Sequence, residues 1–168
     1  ASDVYKRQAY GAGGGGNFSG GGARMADTFD LVQGEVIRIL VGQTPSPWHT
    51  YIANGGGGGT FVTRSPHNNE ASILVISGGG GGAESATAQN AMGNASITTS
   101  GNPGSGTVAN NGAGAGGTGG GGGGTASADN GGGGGGGFTG NGTTNTVFEN
   151  AGGASYINGG AMTVIGTG

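Results

Sequence analysis

Apolar residues come in short β-branched runs through the first half of the chain and almost vanish in the second. Thr28–Val32 (TFDLV) and Val36–Val41 (VIRILV) flank Gln33, Gly34 and Glu35. Runs of that length around a glycine turn predict a tight hairpin, with Gly34 at positive φ. Thr60–Thr63 (TFVT) and Ser72–Ser77 (SILVIS) read as two more strands. The RSPHNNEA stretch between them, with Pro66 and two Asn, reads as a loop. VGQTPSPWHTYIAN, carrying Pro45 and Pro47, reads as irregular, and Glu84–Met92 as a short helix. Beyond it no amphipathic period is sustained; ASYI and MTVI are isolated late pieces.

The strands sit beside glycine. Runs at Gly55–Gly59 and Gly78–Gly82 bracket TFVT and SILVIS, and Gly119–Gly124 and Gly131–Gly137 follow in the second half. Glycine makes up 49 of 168 residues. Such tracts are ordinarily flexible linkers, because ordering seven glycines costs roughly 10 kcal/mol of backbone entropy. The opposing expectation is a polyglycine II array. That left-handed threefold helix rises about 3.1 Å per residue and makes no internal hydrogen bonds, so all its N–H and C=O groups point outward. Buried, those groups are satisfied only by neighbours that approach as closely. Seven residues would span about 22 Å. Here the runs are several, similar in length, and free of the Ser and charge that solvate linkers. The absence of a Gly-X-Y period, with only four prolines, excludes collagen.

Charge narrows the function classes. Residues 1–84 hold 11 of the 13 charged residues, and net charge is −3. The five basic residues, Lys6, Arg7, Arg24, Arg38 and Arg64, are scattered, which argues against nucleic acid and a basic membrane face. No apolar run approaches the roughly 20 residues of a membrane-spanning helix. There is no cysteine, hence no disulfide, thiolate metal site or cysteine nucleophile. No signal peptide is visible, and the chain reads as a processed product or an incomplete reading frame. Residues 1–10 form a segment of unclear role, although VYKRQAY, like the terminal AMTVIGTG, is strand-like and a candidate for pairing between subunits; 11–168 read as one glycine-rich domain, strand-rich over 11–84 and low in charge over 85–168.

DTFDLVQGEVIRILVGQ (27–43), GGGGGTFVTR (55–64) and ILVISGGGGGAES (73–85), in that order, resemble the extracellular glycine-rich domain of the anaplastic lymphoma kinase and leukocyte tyrosine kinase receptors. Secreted bacterial and phage-like proteins carry similar domains. The likeness covers about residues 11–85; GGGGGGGFTGNG and GGASYINGG are compatible with it. It implies packed polyglycine II helices beside a β-sandwich similar to the tumour-necrosis-factor fold. Kinase, transmembrane segment and cysteines are missing, so receptor function does not carry over. The expected fold is therefore mainly β: a small antiparallel sheet or sandwich plus a glycine-helix bundle, with little or no α-helix.

Candidate chemistry is sparse. GxGxxG matches trivially in glycine runs, and a phosphate loop needs a lysine at its end, whereas the only one is Lys6. His67, with Glu70 three residues on, reads as a solvated loop histidine rather than a metal corner. Asp27 and Asp30, three apart on a strand, fall on opposite faces and make a poor acid–base pair. Asp129–Asn130 fits no calcium loop. Sequons occur at Asn17, Asn94 and Asn141. Trp48, His49 and Tyr51 read as packing residues, or as a platform for a protein or glycan partner with the loop at Phe138–Asn141.

Neither catalysis nor a metal or cofactor is expected. The expected function is an extracellular or cell- or virion-surface structural module, a homo-oligomer or polymer, built into a fibre. The alternative is a receptor-like or phage-tail adhesin whose contacts are Trp48, His49, Tyr51 and Phe138. A flat ice-binding face would need a three-residue side-chain period that the runs lack.

Overall fold

The computed structural model describes residues 2–15, 19–44, 56–82 and 94–98. They form five strands in two small antiparallel sheets: β1 (Ser2–Tyr10) with β2 (Arg24–Val32), and β3 (Ile37–Leu40), β4 (Thr60–Arg64) and β5 (Ile73–Ser77) in that spatial order. No α-helix occurs among the described residues; one 3-10 turn spans Glu70–Ser72. The segment Glu84–Met92, expected as a short helix, lies outside them.

Two expectations need correction. Residues 1–10 are not without a role: Ser2–Tyr10 is a full strand, in continuous register with β2 from Ser2↔Val32 to Tyr10↔Arg24. The strand-like VYKRQAY, expected to pair between subunits, pairs within the chain. The expected hairpin of TFDLV with VIRILV does not form either. The turn is present, closed by Glu35 N–H donating to the Val32 carbonyl at 2.9 Å, with Gly34 at φ 87°. The strands leaving it part: β2 pairs with β1, and β3 pairs with β4. A turn signal fixes a reversal but not the partner, and here the chain crosses from one sheet to the other.

The sheets face each other across one core. Ala9 of β1, Leu31 of β2, Ile37 of β3, Val62 of β4 and Val75 of β5 form a buried cluster, flanked by Met25, Phe29, Ile39 and Leu74. Alternation explains the membership: Met25, Phe29 and Leu31 share one face of β2, while Ala26, Thr28 and Asp30 are exposed on the other. The far face of the three-stranded sheet carries a second cluster, Phe61 with Leu40, Ile73 and Ile76. Leu40, Phe61 and Ile76 are direct cross-strand neighbours. A bulge between Val62 and Thr63 shifts the β4–β5 register. Burying each large apolar side chain stabilises by roughly 1.5–3 kcal/mol. The described buried apolar set is Ala9, Ala23, Leu31, Ile37, Phe61, Val62 and Val75, a small core in which two members are alanine. Something besides side-chain burial must hold these segments together.

At the turn end, Arg64 ties the sheets. Its Nη2 donates to the Asp30 carbonyl at 2.9 Å, and its Nε lies 3.1 Å from Glu35 Oε1. Glu35 Oε2 in turn accepts from Val32 N–H at 3.2 Å. Both side chains are partly exposed, so the ion pair itself adds little.

Candidate functional site

At the opposite end the strands run into glycine. Five segments gather there: 11–15 after β1, 19–23 before β2, 42–43 after β3, 56–59 before β4 and 78–82 after β5. None is a sheet strand, yet their backbones bond to one another. Gly11 N–H donates to the Ala23 carbonyl (2.9 Å) and Gly14 N–H to the Gly20 carbonyl (3.0 Å). Ala12 N–H reaches Gly58 (3.0 Å), and Gly80 N–H returns to Ala12 (2.8 Å). Gly20 and Ala23 N–H donate to Gly81 and Gly78, both at 2.9 Å, and Gly57 N–H donates to Gly80 (2.7 Å). Gly58 N–H reaches the Gln43 carbonyl (3.1 Å) on the rim.

Segment 11–15 therefore bonds to three neighbours, 19–23, 56–59 and 78–82, and 78–82 likewise bonds to 11–15, 19–23 and 56–59. A β-strand has two edges and can bond to only two neighbours. Bonds to the same neighbour also recur every third residue: 11 and 14 to 23 and 20, and 20 and 23 to 81 and 78.

Only glycine permits these separations. A Cβ on Gly11 would meet the Gly78 carbonyl, one on Gly14 the Gly81 carbonyl and one on Gly80 the Gly20 carbonyl, each closer than the 3.0 Å below which real Cβ atoms are essentially never found. The close-packed glycine backbones thus form a layer of their own beside the side-chain core.

Two buried hydroxyls join the strands to this layer. Thr60 opens β4 and is 5% exposed; its Oγ1 donates to the Tyr10 carbonyl at 2.6 Å and accepts from Gly42 N–H at 3.0 Å. Ser77 closes β5 and is fully buried; its Oγ donates to the Ala23 carbonyl and accepts from Gly11 N–H at 2.9 Å. Each therefore ties its strand to two other segments at the point where that strand becomes glycine. Sequence reasoning passed over both, although the signal was present as a hydroxyl residue at the strand–glycine boundary in GGGGGT and SGGGGG. On the outer rim, Asn94 Oδ1 accepts from Gly21 N–H (2.8 Å), and Ala95 N–H donates to the Gly21 carbonyl (2.8 Å).

Of the glycines singled out in the sequence, Gly59, Gly78 and Gly82 lie in this layer. Gly55, Gly119, Gly124, Gly131 and Gly137 lie outside the described residues, as do Trp48, His49, Tyr51 and Phe138. Asp27 and Asp30 are exposed on opposite faces of β2, and Asp27 Oδ1 accepts from its neighbour Thr28 N–H. No grouping of three metal-ligating side chains occurs among the described residues.

His67 was expected to be solvated and is not. It is 8% exposed, at φ 69°, after the cis Ser65–Pro66 bond, and its Nδ1 lies 3.2 Å from the Oγ1 of fully buried Thr63. The loop's polar composition suggested water, but Thr63 on the β4 bulge supplies a partner inside. Burial lowers the pKa of this ring below the ordinary 6.5, the charge of Arg38 lowers it further, and hydrogen bonding to Thr63 opposes both. The unfolded chain thus binds the proton more readily, so this contribution is intact above pH 6.5 and declines as pH falls from there through the folded-state pKa. His67→Asn, which tolerates the left-handed backbone, is expected to flatten that decline. Urea midpoints of both proteins at pH 8 and pH 5 test it; parallel losses would remove His67 as the source.

No protein-family model, curated protein or solved structure matches the chain.

Proposed function

We propose that the glycine layer is a bundle of polyglycine II helices, and that the protein is a non-catalytic structural module which self-associates outside the cell or on a cell or virion surface, as a subunit of a fibre. The observation that carries the first part is the threefold pattern of bonding. Three hydrogen-bonded neighbours and a three-residue recurrence suit a threefold helix with outward N–H and C=O groups, and suit no strand. A sandwich with the bundle at its end is also what the likeness to the receptor glycine-rich domain implies.

Self-association follows from the chemistry of such a bundle. Each helix bonds laterally on all sides, so its outermost members carry groups that another glycine-rich backbone can satisfy. Two charges across residues 85–168 give little repulsion to keep copies apart. Among the described residues no helix is long and apolar enough to cross a membrane.

Electron microscopy of unfixed protein at native concentration tests the reading. Regular filaments are expected. Dispersed particles that stay monomeric in sedimentation at high concentration would overturn it.

A further inference from the structure

The outer face of the β1–β2 sheet, turned away from the core, takes alternate residues from each strand. Nearest the glycine layer it presents three cross-strand pairs: Tyr10 with Arg24, Gln8 with Ala26 and Lys6 with Thr28. All six residues are exposed. Two of the chain's five basic residues stand on these pairs and no acidic residue does, in a protein of net charge −3.

Three of these side chains are already joined. The Arg24 guanidinium carbon lies 5.7 Å from the centroid of the Tyr10 ring, so the cation rests against the aromatic. Arg24 Nη2 and the Tyr10 hydroxyl both donate to Gln8 Oε1, each at 3.4 Å. Arginine can only donate, which settles the end of the Gln8 amide that carries the oxygen and leaves the other end as a pair of donors. Tyr10 is nonetheless 58% exposed. Its carbonyl, not its ring, is what anchors Thr60.

We propose that this face binds an acidic polysaccharide through the carboxylates of its uronic acid units. Arg24, with its planar guanidinium held against Tyr10, takes one carboxylate with two parallel N–H groups. The Gln8 amide donates to a sugar hydroxyl, and the uncovered part of the Tyr10 ring packs on sugar C–H groups. Lys6, about 14 Å along β1 from Tyr10, meets a second carboxylate further along the polymer. An extended peptide would need a sheet edge to pair with, and this is a face. A peptide anchored by apolar side chains would need a groove, and Ala26 is the one aliphatic residue on the three pairs. The site does not depend on self-association; a fibre would repeat it along its length and so bind a long polymer more tightly.

Calorimetric titration of the full chain with polygalacturonate tests the proposal, with the fully methyl-esterified polymer as the uncharged control. Binding to the first and not to the second is expected. Arg24→Gln and Tyr10→Ala should each weaken it about tenfold or more. Arg7→Gln, the same change of charge on the opposite face beside Tyr5, should leave it unchanged. Denaturant midpoints close to the parent's would separate lost binding from lost folding; should Tyr10→Ala unfold, Arg24→Gln decides alone. No binding to polygalacturonate, or equal binding to the ester, would overturn the proposal. So would equal losses in Arg24→Gln and Arg7→Gln, which would reduce the effect to overall charge. Filaments that persist in Arg24→Gln are expected; their loss would make this face a contact between copies instead.

Discussion

Gly80→Ala is expected to destabilise the fold by about 3 kcal/mol or more, while Gly78→Ala, two residues away in the same run, changes stability by less than about 1 kcal/mol. The two substitutions add the same methyl group to the same kind of backbone. They differ in what it meets. At Gly80 the methyl falls on the Gly20 carbonyl and close to Gly21, both backbone, which cannot rotate away. Segment 78–82 would have to withdraw from 19–23, and the bonds from Gly20 to Gly81 and from Ala23 to Gly78 would go with it. At Gly78 the nearest atom is the Ala95 methyl at 3.8 Å, an ordinary contact. There the reduced freedom of the unfolded chain offsets part of any loss. Denaturant midpoints of the two variants give the contrast. Equal tolerance at both sites would mean the glycines are spacers rather than close-packed backbone.

The second large effect is at a junction. Thr60→Val keeps the shape and the β-branch but removes the hydroxyl, leaving the Gly42 N–H and the Tyr10 carbonyl without it at a part-buried site. A loss of about 2–3 kcal/mol is expected, from the desolvation of groups no longer paired. Ser77→Ala should cost less, about 1 kcal/mol, although Ser77 is the more buried. Its two partners, Gly11 N–H and the Ala23 carbonyl, also bond directly to each other and keep that bond when the hydroxyl goes. Chemical denaturation of both variants ranks them; the reverse order would mean that burial, not the stranded partner, sets the penalty.

Four of the five strands were legible in the sequence because their β-branched runs are dense and bounded by turn residues or glycine. β4 and β5 fell where TFVT and SILVIS placed them, joined by the RSPHNNEA loop. β2 begins four residues earlier than its apolar run, since Arg24–Asp27 is held by pairing with β1 rather than by its own pattern. β1 was legible too, as the strand-like VYKRQAY, but it was expected to pair between subunits, and so the true partner of β2 was missed. The anchoring role of Thr60 and Ser77 and the burial of His67 were not legible because each depends on a partner from another segment: Tyr10 and Gly42, Gly11 and Ala23, and the bulge at Thr63. Glycine runs announce that backbones meet, but contain nothing that says which.

That last property gives the junction hydroxyls a further meaning. A uniform glycine helix is like an unmarked ruler: slid by one period against its neighbour, it finds an equivalent set of bonds. Side chains normally forbid such slippage, and within the glycine runs there are none. Thr60 and Ser77 bond to particular carbonyls and N–H groups, Tyr10, Gly42, Ala23 and Gly11. They act as the zero marks from which each run is counted. The alignment of the layer is thus set at its strand-proximal ends, and the far ends of the runs are where their length can vary without disturbing the count.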